Sequence, residues 1–131
     1  MVEEIPKIIQ DVGFDFHWDE KKVWALDVPV KLMDIKQLRW HFAFPFLWEN
    51  GVYNLAPREV LDNPEAHKKE FERAMNAHFE HPIDIMINKG HWTILDGLHR
   101  LMQASILKID KVSVRKIPRD RIPEIVNDMV G

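Results

Sequence analysis

Cysteine is absent from this chain of 131 residues. That excludes disulfides, zinc–thiolate centres, thiol nucleophiles and thiol redox chemistry. A basic excess is missing too. Lys and Arg number 18 against 21 Asp and Glu, a net charge of -3, so any nucleic-acid binding would have to come from a local patch. No segment approaches the roughly 18 apolar residues needed to span a bilayer. The opening MVEEIPKIIQDVG is acidic and lacks a long apolar run, so a signal peptide is not expected. There is no internal repeat and no low-complexity segment. These absences lead to the expectation of a soluble, cytoplasmic protein with no membrane partner.

What is present is ordinary globular material, with 46% hydrophobic and 30% charged residues. The length suits one domain with a real core. Residues 1–22 read as an N-terminal arm with a short amphipathic piece (Ile5, Ile8, Ile9, Val12). Val23 to Leu32 is β-branched and apolar, and Pro29 confines it to a sheet edge or a strand end. In WHFAFPFLW, Trp40, Phe42, Phe44, Phe46 and Trp48 alternate with other residues. This fits an extended segment with one aromatic face, while helical spacing also suits its first half. These rings either fill the core, the simpler reading, or leave Trp40 and Trp48 free to contact a base or a partner.

Residues 51–63 have loop composition. Asn63-Pro64-Glu65 reads as a helix start, and the helix runs to about Phe79 with Phe71, Ala74, Met75, His78 and Phe79 on its apolar face. IDIMI (83–87) is a strand, Asn88-Lys89-Gly90 a hairpin turn, and His91 to Leu95 the returning strand. Gly97 turns the chain into a helix from Leu98 to about Ile109. VSVRKI (112–117) is another strand, and a short helix is expected within 121–130. The order predicts an α+β fold: one domain over 23–118, a small mixed sheet packed with helices, and a C-terminal helical extension over 119–131. Asp84 is expected to face outward from its strand. The histidines at 78, 81, 91 and 99 lack a diagnostic ligand spacing, and no metal site is expected from them.

The chemistry concentrates at LDGLHR, where a strand meets a helix. A helix start presents unpaired N–H groups and partial positive charge. Gly97 lets a ligand approach the backbone, Arg100 brings a planar fork suited to phosphate oxygens, and His99 brings a donor or an acid–base group. These make a phosphate cradle. The alternative is purely structural: Asp96 caps the helix, Arg100 pairs with a carboxylate, and His99 sits on the surface beside Gln103.

The segment from Val28 to Pro118 resembles the ParB/sulfiredoxin superfamily. The likeness rests on VPVKL (28–32), HPIDIMI (81–87), WTILDGLHRLMQA (92–104) and KVSVRKI (111–117). It implies a compact α+β fold whose D-G-x-H-R loop holds the phosphates of a nucleotide, as in partitioning proteins that hydrolyse CTP, free-serine kinases, and sulfiredoxins that use ATP. By that likeness Gly97, Leu98, His99 and Arg100 would contact a nucleotide or other phosphorylated ligand. Asp96 and His99 would serve any catalysis, which would be phosphoryl transfer or nucleoside-triphosphate hydrolysis, with Mg²⁺ accompanying the nucleotide.

Departures narrow the expectation. Leu98 stands where sulfiredoxin chemistry needs a cysteine, so that activity is excluded. His99 stands where partitioning proteins carry a second arginine, and is closer to the kinase-like form. Gln103 replaces an alanine. The stretch LMDIKQLRWH offers Asp34 but no glutamate near the first strand. No helix-turn-helix is expected to follow the loop domain, since the chain stops at Gly131. Two rival readings remain: a nucleic-acid-binding or nuclease-like domain, against which the acidic balance argues, and a non-catalytic interaction module using the Trp40–Trp48 segment.

Overall fold

A computed structural model describes residues 7–49 and 52–127. Its helices and strands are α1 (Lys7–Val12), α2 (Glu20–Trp24), β1 (Val30–Asp34), β2 (Leu47–Glu49), β3 (Val52–Leu55), α3 (Pro57–Asp62), α4 (Lys68–Met75), β4 (Ile83–Asn88), β5 (His91–Asp96), α5 (Leu98–Ile106), β6 (Lys111–Lys116) and α6 (Ile122–Ile125). Short 3-10 turns occupy Ile35–Gln37, Arg39–Ala43 and Arg119–Arg121. The main sheet has strand order β1-β6-β4-β5, and β2 and β3 form a separate hairpin. β6 pairs antiparallel with β1 and parallel with β4, while β4 and β5 pair antiparallel. The protein is therefore an α+β domain with a mixed sheet.

Strand alternation sends successive side chains to opposite faces. Ile83 and Ile85 of β4, with Val112 and Val114 of β6, join Val60, Ala74, Leu101 and Met102 in the larger core. Met86, Leu95 and Ile117 turn to the other face and pack with Val23, Leu26 and Ile125. Phe14, Phe16 and Trp18 lie against this second cluster, with ring centroids 5.2 to 5.9 Å apart. Residues 7–22 and 119–127 thus supply part of the second layer. Lys89 Nζ and Asn88 Nδ2 donate to the carbonyls of Gln10 and Gly13, and Asn127 N donates to His17 O.

Several local expectations are corrected. The extended segment begins at Val30, after Pro29, because Asp19 caps a turn of helix through Lys21 N and carries Val23 and Trp24 into α2. β1 does lie at the sheet edge. Within residues 51–63, β3 and α3 replace the expected loop; Pro57 sits in the first turn of α3, and the Glu59 carboxylate accepts the Ala56 N–H. The following helix starts at Lys68 and ends at Met75, so Met75, His78 and Phe79 are exposed rather than apolar-face residues. The β4–β5 hairpin turns where expected, with positive φ at Lys89 and Gly90.

Asp84 is the largest correction. It is 2% exposed rather than outward-facing. β4 is an inner strand covered on both faces, and its register partner on β6 is Arg115. Arg115 Nε donates to Asp84 Oδ1 at 2.6 Å, while its other two nitrogens donate to the carbonyls of Leu26 and Val23. Burial outweighs the arginine and holds the Asp84 carboxyl above its usual range.

Candidate functional site at the strand-to-helix joint

β5 delivers Asp96 to the joint, and Gly97 reverses the chain at φ +116°. A β-carbon there would lie 3.1 Å from Arg100 Nη1 and 3.2 Å from Ile83. The backbone angle therefore favours glycine, and any β-carbon would also force the Arg100 and Ile83 side chains to shift. Gly97 is the N-cap of α5 and offers no side-chain cap. Asp96 does not cap the helix: its Oδ2 accepts from Trp24 Nε1 at 2.7 Å and from Arg100 Nη2 at 3.3 Å. The first intrahelical bond runs from Leu101 N to Gly97 O. The N–H groups of Leu98, His99 and Arg100 thus precede the helix's own ladder.

Arg100 is committed to the scaffold. Its Nη1 donates to Pro82 O at 2.8 Å, joining the start of α5 to the entry of β4. The expected pairing with a carboxylate is found in Asp96, so this guanidinium is a brace more than a free anion clamp. His99 also has a partner that sequence reasoning missed. Its Nε2 lies 2.6 Å from Glu70 Oε2, and Arg73 Nη1 donates to Glu70 Oε1 at 3.1 Å. Glu70 is 7% exposed, whereas Arg73 reaches the surface. A histidine oriented by a buried carboxylate matches the arrangement used to fix imidazole position and tautomer in acid–base sites.

The joint opens on a cavity of about 1060 Å³. Asp96, Gly97, Leu98, His99 and Arg100 all line it, with Arg73 and His78 nearby. Phe14, Phe16, Trp18 and Phe46 add aromatic surface. Glu20 is a further lining carboxylate without a sequence signal. Although much of it is solvent-accessible, partial burial and then Asp96 hold its carboxyl above the usual range, against the opposing effect of Arg100.

His41 also lines this cavity but is fully employed by the fold. Nδ1 lies 2.7 Å from Leu38 O and Nε2 accepts the Ile94 N–H at 3.1 Å, which defines a neutral ring. Burial lowers its pKa to about 4, despite the Leu38 carbonyl, with His91 adding to the lowering.

Trp40 is not among the residues lining the cavity. Its ring stacks on His41 at 3.9 Å and its Nε1 donates to Trp92 O. Together with the His41 bond to Ile94 N and the Trp18 bond to Leu95 O, it blunts the outer edge of β5. The first half of the aromatic segment is a 3-10 turn rather than a strand, because these side chains wrap that edge. The Trp48 side chain lies outside the described residues.

Among the described residues, no group of three or more His, Asp or Glu side chains converges as a metal site. No helix among them is long and apolar enough to cross a membrane. No protein-family profile matches the chain, and no curated protein or solved structure is significantly similar to it.

Proposed function

We propose that this protein binds a phosphorylated small ligand, a nucleotide foremost, in the cavity at the β5–α5 joint. The observation that carries this reading is the uncapped start of α5, which borders a large cavity beside His99 and Arg73. Free N–H groups at a helix start attract an anion. In this assignment the N–H groups of Leu98, His99 and Arg100 cradle the phosphate, the His99 ring contacts it, and the exposed Arg73 supplies positive charge. Arg100 keeps the loop in shape from behind. The resemblance to the ParB/sulfiredoxin superfamily supports the same assignment, and so does the aromatic surface that lines the cavity.

For phosphoryl transfer or nucleoside-triphosphate hydrolysis, His99 is the proton acceptor we assign, and Glu70 positions it. Mg²⁺ commonly uses one or two carboxylates plus substrate phosphates. Glu20 and Asp96 interact electrostatically at the cavity wall and fit that donor set. When bound, the ion would neutralise phosphate charge.

The test is a thermal-shift panel of nucleoside mono-, di- and triphosphates and inorganic phosphate, with and without Mg²⁺. Ligand at about a hundred times its Kd stabilises the folded state by about 2.7 kcal/mol. A shift with one nucleotide that shrinks in His99→Gln and Arg73→Ala is the expected result. These variants suit the question better than Arg100→Ala, which removes a structural brace as well. Absence of any shift across the panel would overturn the reading.

A further inference from the structure

A second cavity of about 490 Å³ also borders the Asp96–Arg100 pair. Its lining brings together the rings of Trp24, His78 and His81, the carboxylates of Asp84 and Asp96, and the guanidinium groups of Arg100 and Arg115 that pair with those carboxylates. Trp24 is 52% exposed, an unusual position for the largest side chain of a five-residue helix. Its indole N–H is directed at Asp96, which places the ring beside the acid.

The two carboxylates are unequally satisfied. Asp84 Oδ1 takes Arg115, and Asp96 Oδ2 takes both Trp24 and Arg100. Asp84 Oδ2 and Asp96 Oδ1 receive no hydrogen bond among the described residues. Asp84 is 98% buried by residue, yet its free oxygen is not a sealed atom. The unpartnered polar side-chain atom sealed from solvent among the described residues is Gln103 Oε1. A buried acceptor that borders a cavity wants a donor from a guest. Asp84 and Asp96 are register partners on β4 and β5. Directly opposed side chains in a regular ladder start about 5 Å apart; here the register shifts beside the pair, between Asp84 and Ile85.

The geometry points to a binding site for a small primary ammonium compound in this cavity. Its NH₃⁺ donates to Asp84 Oδ2 and Asp96 Oδ1, and its carbon chain lies against Trp24. An alcohol brings a single O–H to two acceptors. A tetraalkylammonium brings charge but no donor. A primary ammonium supplies charge, several donors and a carbon chain for the aromatic wall, which neither of those two does. The same cation would relieve the mutual repulsion of the two carboxylates, which now adds to the effect of burial on Asp84. This site shares Asp96 with the phosphate reading, but it is tested apart from that reading because its probe carries no phosphate.

The experiment is an NMR titration of the whole chain with propylammonium, 1-propanol and tetramethylammonium at constant ionic strength. The reporter is the Trp24 indole N–H, which bonds to Asp96. Propylammonium is expected to move this resonance saturably, and to bind at least about tenfold more tightly than either control, about 1.4 kcal/mol. Asp84→Asn keeps an oxygen for Arg115 and replaces the free one by NH₂; it should weaken propylammonium by about tenfold or more. Equal responses to propylammonium and propanol would show an apolar slot only and overturn the proposal. So would no movement at concentrations that saturate a Kd of about 1 mM, or an unchanged affinity in a folded Asp84→Asn. The wild-type comparison decides the matter even where the variant does not fold.

Discussion

Two aspartate–arginine pairs face each other across the β4–β5 hairpin, and they have opposite characters. Asp84 and Arg115 sit at an inner strand pair; the side chains are 3% and 11% exposed, and the arginine also satisfies two backbone carbonyls. Asp96 and Arg100 lie at the strand end, joined by one longer contact of 3.3 Å, and both line the two cavities. The first pair ties α2 to the sheet. The second holds a loop in place while leaving its ends open to solvent-sized guests. The same two residue types therefore serve in one place as a core fastener that borders the smaller cavity, and in the other as a wall shared by both cavities. Depth and the number of additional hydrogen bonds make the difference.

Removing the fastener should have the largest effect. Arg115→Met leaves a buried carboxylate unpaired and two carbonyls without donors, a loss of about 3–5 kcal/mol. Urea unfolding would measure it. The double change Asp84→Leu with Arg115→Met should recover much of that loss, since an apolar pair often replaces a buried ion pair without penalty. Equal losses in the single and double variants would break the contrast drawn between the two pairs.

Acid is the next probe. His41 is held neutral in the fold, with its pKa lowered from 6.5 to about 4. The unfolded chain therefore takes up this proton first as pH falls. The stability contributed by the neutral ring is present above pH 6.5 and is lost between there and about pH 4, up to about 3 kcal/mol. Urea midpoints measured across that window should show the slope, and His41→Gln should flatten it. This separates a cavity-lining histidine bound into the fold from His99, whose assigned work is chemical.

Arg100→Ala should cost less than Arg115→Met. It removes charged bonds to Pro82 O and Asp96 from a part-buried position, about 1.5–3 kcal/mol. Arg100→Lys keeps the charge but not the fork, and should restore only part of the stability. Smallest in stability should be His99→Gln, under about 1 kcal/mol, because its side chain is 25% exposed. Its ligand-induced thermal shift should nevertheless fall most. A stability loss in His99→Gln as large as in Arg100→Ala would assign the His99–Glu70 pair to the fold instead of the site.

The place of the candidate site is legible in the sequence. Gly97, His99 and Arg100 stood out because a strand pattern, a glycine and a helix pattern met there, and the hairpin before them is encoded by Asn88-Lys89-Gly90. Their partners were not legible. Glu70 lies in KKEFER, where charges at helical spacing read as a solvent face. Glu20 lies at the polar end of the 1–22 stretch that reads as an N-terminal arm, and Trp24 in the apolar run Val23–Leu32 that reads as a strand. Alternation alone places Asp84 outside because it assumes a sheet with one wet face, whereas β4 is buried at every position but Ile87.

Sequence by itself determined the α+β class, the β4–β5 hairpin and the turn into α5, because periodicity, turn residues and a positive-φ glycine act over a few neighbouring positions. Tertiary structure alone decided what each charged group does. Glu70 reaches His99 across 29 positions, Trp24 reaches Asp96 across 72, and Arg115 reaches Val23 across 92. Whether an acid is buried, paired or left facing a cavity depends on which layers cover it. Those layers come from distant parts of the chain, brought together by burial of apolar surface that carries no local mark of its destination.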